Sequence, residues 1–137
     1  MTNQKTTSKA LNISLWIAQA ILAIMFIMAG VMKSTQPIEQ LGTSLPWVND
    51  VSSGLVRFIG ISELLGGIGL LLPALLRIKP MLTPLAALGI FTIMVFAFVH
   101  HITKGEYEAS GFNVILAAIA FFIAWGRYKE VPVQPKS

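Results

Sequence analysis

The sequence predicts an all-α integral membrane fold, four antiparallel transmembrane helices with the N- and C-termini on the cytoplasmic side. Three observations carry that expectation. Of 137 residues, 55% are hydrophobic and 12% charged, against roughly 25% charged in soluble proteins. A soluble domain this small keeps too much surface in water to hide so much apolar area. The apolar residues fall in four runs, 13–32, 55–76, 81–102 and 111–126, each close to membrane-spanning length. Finally, the cations segregate between alternate connections.

Spanning takes about 20 residues at about 1.5 Å of rise each. Backbone groups in hydrocarbon must bond within their own segment, so such runs are helices. The expected helices cover 13–33, 55–76, 81–102 and 110–127, in a domain of residues 13–128 between cytoplasmic tails 1–12 and 129–137. Residues 1–10 are polar and basic and read as a disordered tail. The first run follows Lys5 and Lys9 as a signal peptide would. However, it exceeds the roughly 7–15 apolar residues of one, and no small-x-small site follows. Seven of the ten cations (Lys5, Lys9, Arg77, Lys79, Arg127, Lys129, Lys136) fall on one side of a four-span chain; positive-inside asymmetry makes that side cytoplasmic. Trp16, Trp125 and Tyr128 then mark the inner interface, and Trp47 and Tyr107 the outer one. In the first connection, Pro37 opens a short helix ending near Gly42, with Pro46 and Trp47 on the membrane surface. The expected setting is a multi-pass membrane protein.

Polar and small residues share a face on each helix at i, i+3, i+4 and i+7. The stripes are Gln19, Ala23, Phe26, Gly30 and Lys33; Gly60, Glu63 and Gly67, widened by Gly66; Ala86, Gly89, Ile93, Ala97 and His100; and Asn113, Ala117, Ala120 and Ala124. Small residues mark close helix approach in membranes, which assigns Gly30, Gly60, Gly66, Gly67, Gly89 and Ala117 to packing. The polar members then point inward. Glu63 lies eight residues past Leu55, roughly 12 Å below the outer surface. Lys33, His100 and Asn113 sit near that same end, and Arg57 at its mouth. Gln19 is nearer the cytoplasmic half. The expectation is a polar pocket centred on Glu63, with ligand-binding residues Glu63, His100, Lys33, Arg57, Asn113 and Gln19. A carboxylate at such depth costs about 2.5–3.5 kcal/mol unless paired or protonated, and Arg57, about 120° away on the same helix, is no partner. The plain alternative makes Glu63 a strut to Lys33, Lys33 and Arg57 interfacial anchors, and Asn113 a helix-joining hydrogen bonder. His101 points about 100° from His100 and is expected to face solvent.

Several chemistries are excluded. The chain has no cysteine, hence no disulfide, thiolate metal site or Cys nucleophile. Its two histidines are adjacent, unsuited to a haem held between helices, and a metal site lacks ligands. There is no nucleophile elbow, Walker sequence or dinucleotide fingerprint, and no channel filter or charged ring. The net charge of +4 is spread between apolar runs, which argues against nucleic acid.

The segment Arg57-Phe-Ile-Gly60-Ile-Ser-Glu63-Leu-Leu-Gly66-Gly67, running on to Leu72-Pro73, resembles the DoxX-like family of small bacterial membrane proteins. Gly30 and Lys33, His100, and Asn113 are similar to that family's pattern as well. The resemblance implies a four-helix membrane fold, a link to redox or quinone-related stress, and a polar centre at Arg57, Gly60 and Glu63. It supplies no catalytic residue. Three function classes follow: a binder of a small lipophilic ligand such as a quinone, alone or as a subunit of a membrane redox complex; a non-enzymatic accessory or assembly factor; and a proton-linked carrier. Expected partners are the lipid bilayer, a membrane redox protein and a second copy of the chain.

Overall fold

The computed structural model describes residues 2–136. Met1 and Ser137, the outer ends of the two expected tails, lie outside them. Every element among the described residues is helical: α1 (Thr2–Thr35), α2 (Ile38–Ser44), a 3-10 turn (Pro46–Asp50), α3 (Ser53–Leu76), α4 (Leu82–Thr103), α5 (Tyr107–Trp125) and a π-helical turn (Gly126–Glu130). Four of these segments are long and apolar enough to cross a membrane.

The start of α1 corrects one expectation. The polar segment read as a disordered tail is helical from Thr2. No Gly or Pro interrupts residues 2–29, so nothing local stops the apolar helix from extending backwards.

Local chemistry sets the other ends. Ser52 caps α3, its hydroxyl accepting from the Leu55 N–H at 3.2 Å, as the orphan donors of a first turn require. The C-cap of α3 is Arg77 in the left-handed region, φ 57°, with its N–H bonded to the Pro73 carbonyl. Pro73 itself sits inside α3 and lacks the N–H that would bond the Gly69 carbonyl. The Thr83 hydroxyl of α4 donates to that carbonyl at 3.1 Å, so a neighbouring helix repairs the gap, as a span in hydrocarbon demands. Gly105, at φ 75°, makes the turn between α4 and α5.

Packing runs α1 on α3, α3 on α4 and α4 on α5, with α5 returning to α1. The α1–α3 contact is backbone to backbone. A Cβ on Gly30 would lie 2.6 Å from the Gly60 carbonyl oxygen, and one on Gly60 2.7 Å from the Lys33 backbone. Gly67 meets the Ile27 backbone in the same way. Gly66 faces Ile90, and Ala117 packs half-buried on the main core. Gly89 is the exception: it is exposed, with open space where its Cβ would be. Its assignment to packing is therefore corrected; α4 is rotated so that Ala87 and Ile90 face inward instead.

The main core joins Leu22, Phe26, Leu70, Ile90, Leu116 and Ile123. A smaller core of Leu41, Val48 and Val56 lies under α2 and the 3-10 turn. Only 28–39% of each span is buried inside the bundle. The remaining apolar surface, such as Ile17, Ile21, Ile24 and Met28 on α1, faces lipid tails, which solvate it.

Candidate functional site

Glu63 and Lys33 are positioned by the glycine contact between α1 and α3. With the two backbones touching at Gly30 and Gly60, the Lys33 ammonium reaches the Glu63 carboxylate, Nζ to Oε1 2.7 Å. Glu63 is 2% exposed. Lys33 also lies over the Trp47 ring, 5.5 Å from its centroid. Trp47 is half-buried and lines the cavity beside the Lys33–Glu63 pair, next to Val48, which is buried in the smaller core.

This pair forms one wall of a cavity of about 420 Å³. α3 adds Phe58 and Ile59, α4 adds Ile93, Ala97, His100 and His101, and α5 adds Asn113. The cavity meets the bundle surface at Phe58 and Phe96, which are 67% and 72% exposed. The opening therefore lies between spans, facing lipid.

Four buried side-chain atoms have no hydrogen-bond partner among the described residues: Glu63 Oε2, His100 Nε2, His101 Nδ1 and Asn113 Nδ2. Native proteins leave few such atoms per hundred residues, and here all four belong to residues that line one cavity. His101 Nδ1 is 3.6 Å from Glu106 Oε2, too long for a hydrogen bond.

Four of the six expected ligand-binding residues, Lys33, Glu63, His100 and Asn113, come together here. Arg57 does not line the cavity. Its guanidinium donates to the Lys33 carbonyl at 3.0 Å, satisfying one of the orphan acceptors that end α1. Gln19 is also elsewhere, toward the opposite end of α1. Its Nε2 donates to the Leu70 carbonyl at 2.6 Å, and its Oε1 accepts from Arg127 Nε at 2.6 Å. Both are corrected from ligand contacts to structural bonds. His101 is corrected in the other direction: its side chain is 13% exposed and lines the cavity.

The sequence places Arg127 at the cytoplasmic end of the fourth helix. It is 3% exposed, carried into the bundle by the π-helical turn after α5. Besides Gln19 it donates to Asn12 Oδ1 at 2.7 Å and to the Val131 carbonyl at 2.9 Å, and it stacks on Trp16 at 5.0 Å. Gln19, a lone polar residue on an inward stripe, was the signal that a partner was needed. The tail beyond also folds back, with Arg77 donating to the Gln134 carbonyl and the Lys136 N–H to that of Arg77.

Four spanning helices around a small polar centre define a multi-pass membrane protein in contact with the lipid bilayer. The chain belongs to the DoxX-like family, whose model matches residues 17–123. No curated protein and no solved structure matches it.

Proposed function

We propose that this protein binds a small, uncharged lipophilic molecule in the cavity between α3 and α4. The observation that carries this reading is that four residues lining one cavity each carry a buried, unpartnered polar atom. Each such atom costs about 1–3 kcal/mol if left unmet, and a ligand with a polar end meets several at once. The volume of about 420 Å³ falls within the roughly 300–1,000 Å³ of small-molecule sites. The lining is apolar around a few polar groups, and its one lysine and one carboxylate neutralise each other, which favours an uncharged guest. Access between Phe58 and Phe96 suits a molecule dissolved in the bilayer.

A quinone or its quinol is one chemical class that meets these terms, bound by this chain alone or within a membrane redox complex. The cation segregation supports an orientation with both termini cytoplasmic, in the inner membrane of a bacterium, which puts the cavity in the outer half of the bundle. Contacts run in opposite order along α1 and α3, Gln19 with Leu70 and Lys33 with Glu63, which supports the antiparallel arrangement. The apolar core of Leu22, Phe26 and Leu70 separates the cavity from the Arg127 end, which weighs against a carrier with a path through the monomer.

An accessory role, with Lys33 and Glu63 acting only as a strut, is favoured by their direct pairing across the α1–α3 seam. One experiment separates the two. Wild type and Glu63→Gln are purified in mild detergent and extracted with organic solvent, and bound lipophiles are identified by mass spectrometry. The binding reading expects a stoichiometric molecule in wild type that is depleted in a folded variant. Bulk phospholipid alone in both samples favours the accessory role.

A further inference from the structure

Resting on the binding reading above, we infer that the guest donates a hydrogen bond to Glu63: it is a hydroxylated lipophile, an alcohol, phenol or hydroquinone, and not a molecule carrying acceptors alone. The polarity of the four unmet atoms decides this. An asparagine amide turns to offer either its oxygen or its nitrogen, and a neutral imidazole offers a donor or an acceptor by tautomer. Asn113, His100 and His101 therefore accommodate either kind of guest. Glu63 does not. Its Oε1 holds the Lys33 ammonium at 2.7 Å, and a carboxylate paired with an ammonium is an acceptor only.

Its second oxygen, Oε2, is buried without a partner, in a residue 2% exposed that lines the cavity. The other cations nearby do not serve it. Arg57 is committed to the Lys33 carbonyl, and Lys33 Nζ lies between Oε1 and the Trp47 ring. A carbonyl or ether oxygen placed against Oε2 sets two lone pairs face to face. A hydroxyl there makes a charge-assisted bond, short and about twice as strong as a neutral one, while its own oxygen remains free to accept from Asn113 or a histidine. The cavity thus discriminates by whether the guest brings a hydroxyl proton to Oε2; a hydroquinone, which is the quinone plus two electrons and two protons, brings one, and the quinone does not.

Trp47 lies on the cavity wall and reports occupancy once the other two tryptophans are removed. In the Trp16→Phe/Trp125→Phe protein, reconstituted in lipid nanodiscs, Trp47 fluorescence is titrated with para-hexylphenol and with its methyl ether, para-hexylanisole. The two share ring, chain and oxygen acceptor and differ in the donor. After correction for partition into lipid, the phenol is expected to bind about tenfold tighter. In Glu63→Gln, whose amide brings its own donor, the preference falls toward unity with helical content unchanged. Equal affinity of wild type for both compounds overturns the donor inference and leaves the binding reading intact. No saturable response to either compound overturns both. The wild-type comparison decides the matter even where the variant does not fold.

Discussion

The two ends of this bundle hold polar residues of similar kind in opposite states. In the first half of α1, buried Arg127 bonds buried Gln19, half-buried Asn12 and the Val131 carbonyl, and Gln19 bonds the Leu70 carbonyl. Near its finish, Glu63 and Asn113 are buried and His100 and His101 half-buried around an open space, and each leaves a buried atom unmet. A closed network in a low-dielectric interior rigidifies and specifies the fold, whereas a half-satisfied one carries a standing cost. The difference teaches that burial of polar groups in a membrane bundle is not itself the mark of a site. The mark is burial without a partner next to room for one.

Substitution at the two ends therefore has opposite consequences. Arg127→Met leaves Gln19 and Asn12 with unmet buried groups, each costing about 1–3 kcal/mol. The expected loss is about 3 kcal/mol in SDS-driven unfolding from mild detergent, with the affinity of the folded fraction for a guest unchanged. An unaltered unfolding midpoint would erase the distinction between the ends. Thr83→Val removes the hydroxyl that serves the Gly69 carbonyl across from Pro73; the expected loss is about 1 kcal/mol, read by the same titration. Asn113→Leu stands at the other end and removes a donor that has no partner. Its unfolding free energy should stay within about 0.5 kcal/mol of wild type, or rise, since an unmet polar group is replaced by an apolar one, while the co-purifying guest is held more weakly. A loss of stability as large as that of Arg127→Met would place Asn113 in a closed network after all.

Much of this was legible in the amino-acid order. Four apolar runs forecast four spans, because backbone groups in lipid leave the helix as the local solution. The i, i+3, i+4, i+7 stripes brought Lys33, Glu63, His100 and Asn113 to one place. Helical periodicity failed where a residue's task lies off its own wheel. His101 points away from His100 on the wheel, yet the cavity is broad enough at the end of α4 to take both. Arg57 was grouped with Glu63 by its depth near the outer mouth, but the end of α1 had a carbonyl to fill. Gly89 fits the stripe of α4 by spacing and still faces outward, since which side of a uniformly apolar helix turns inward is set by its neighbours. Arg127 was hidden by the rule that reads a cation at the cytoplasmic end of a span as a topology marker; only Gln19, a polar residue on an inward stripe, pointed to it.

The central claim, that the open end holds a guest and is not merely an imperfectly packed seam, is tested by filling the space without touching its polar groups. Ala97 lines the cavity and is half-buried. Ala97→Phe occupies part of the volume and keeps Lys33, Glu63, His100, His101 and Asn113. Solvent extraction and mass spectrometry of wild type and Ala97→Phe, each purified under identical conditions, compare the amount of any stoichiometric small molecule per protein. The account predicts its loss from Ala97→Phe while the protein still resists SDS as wild type does, to within about 1–3 kcal/mol, the usual cost of overpacking. Equal occupancy in both, or no stoichiometric molecule in either, would contradict it.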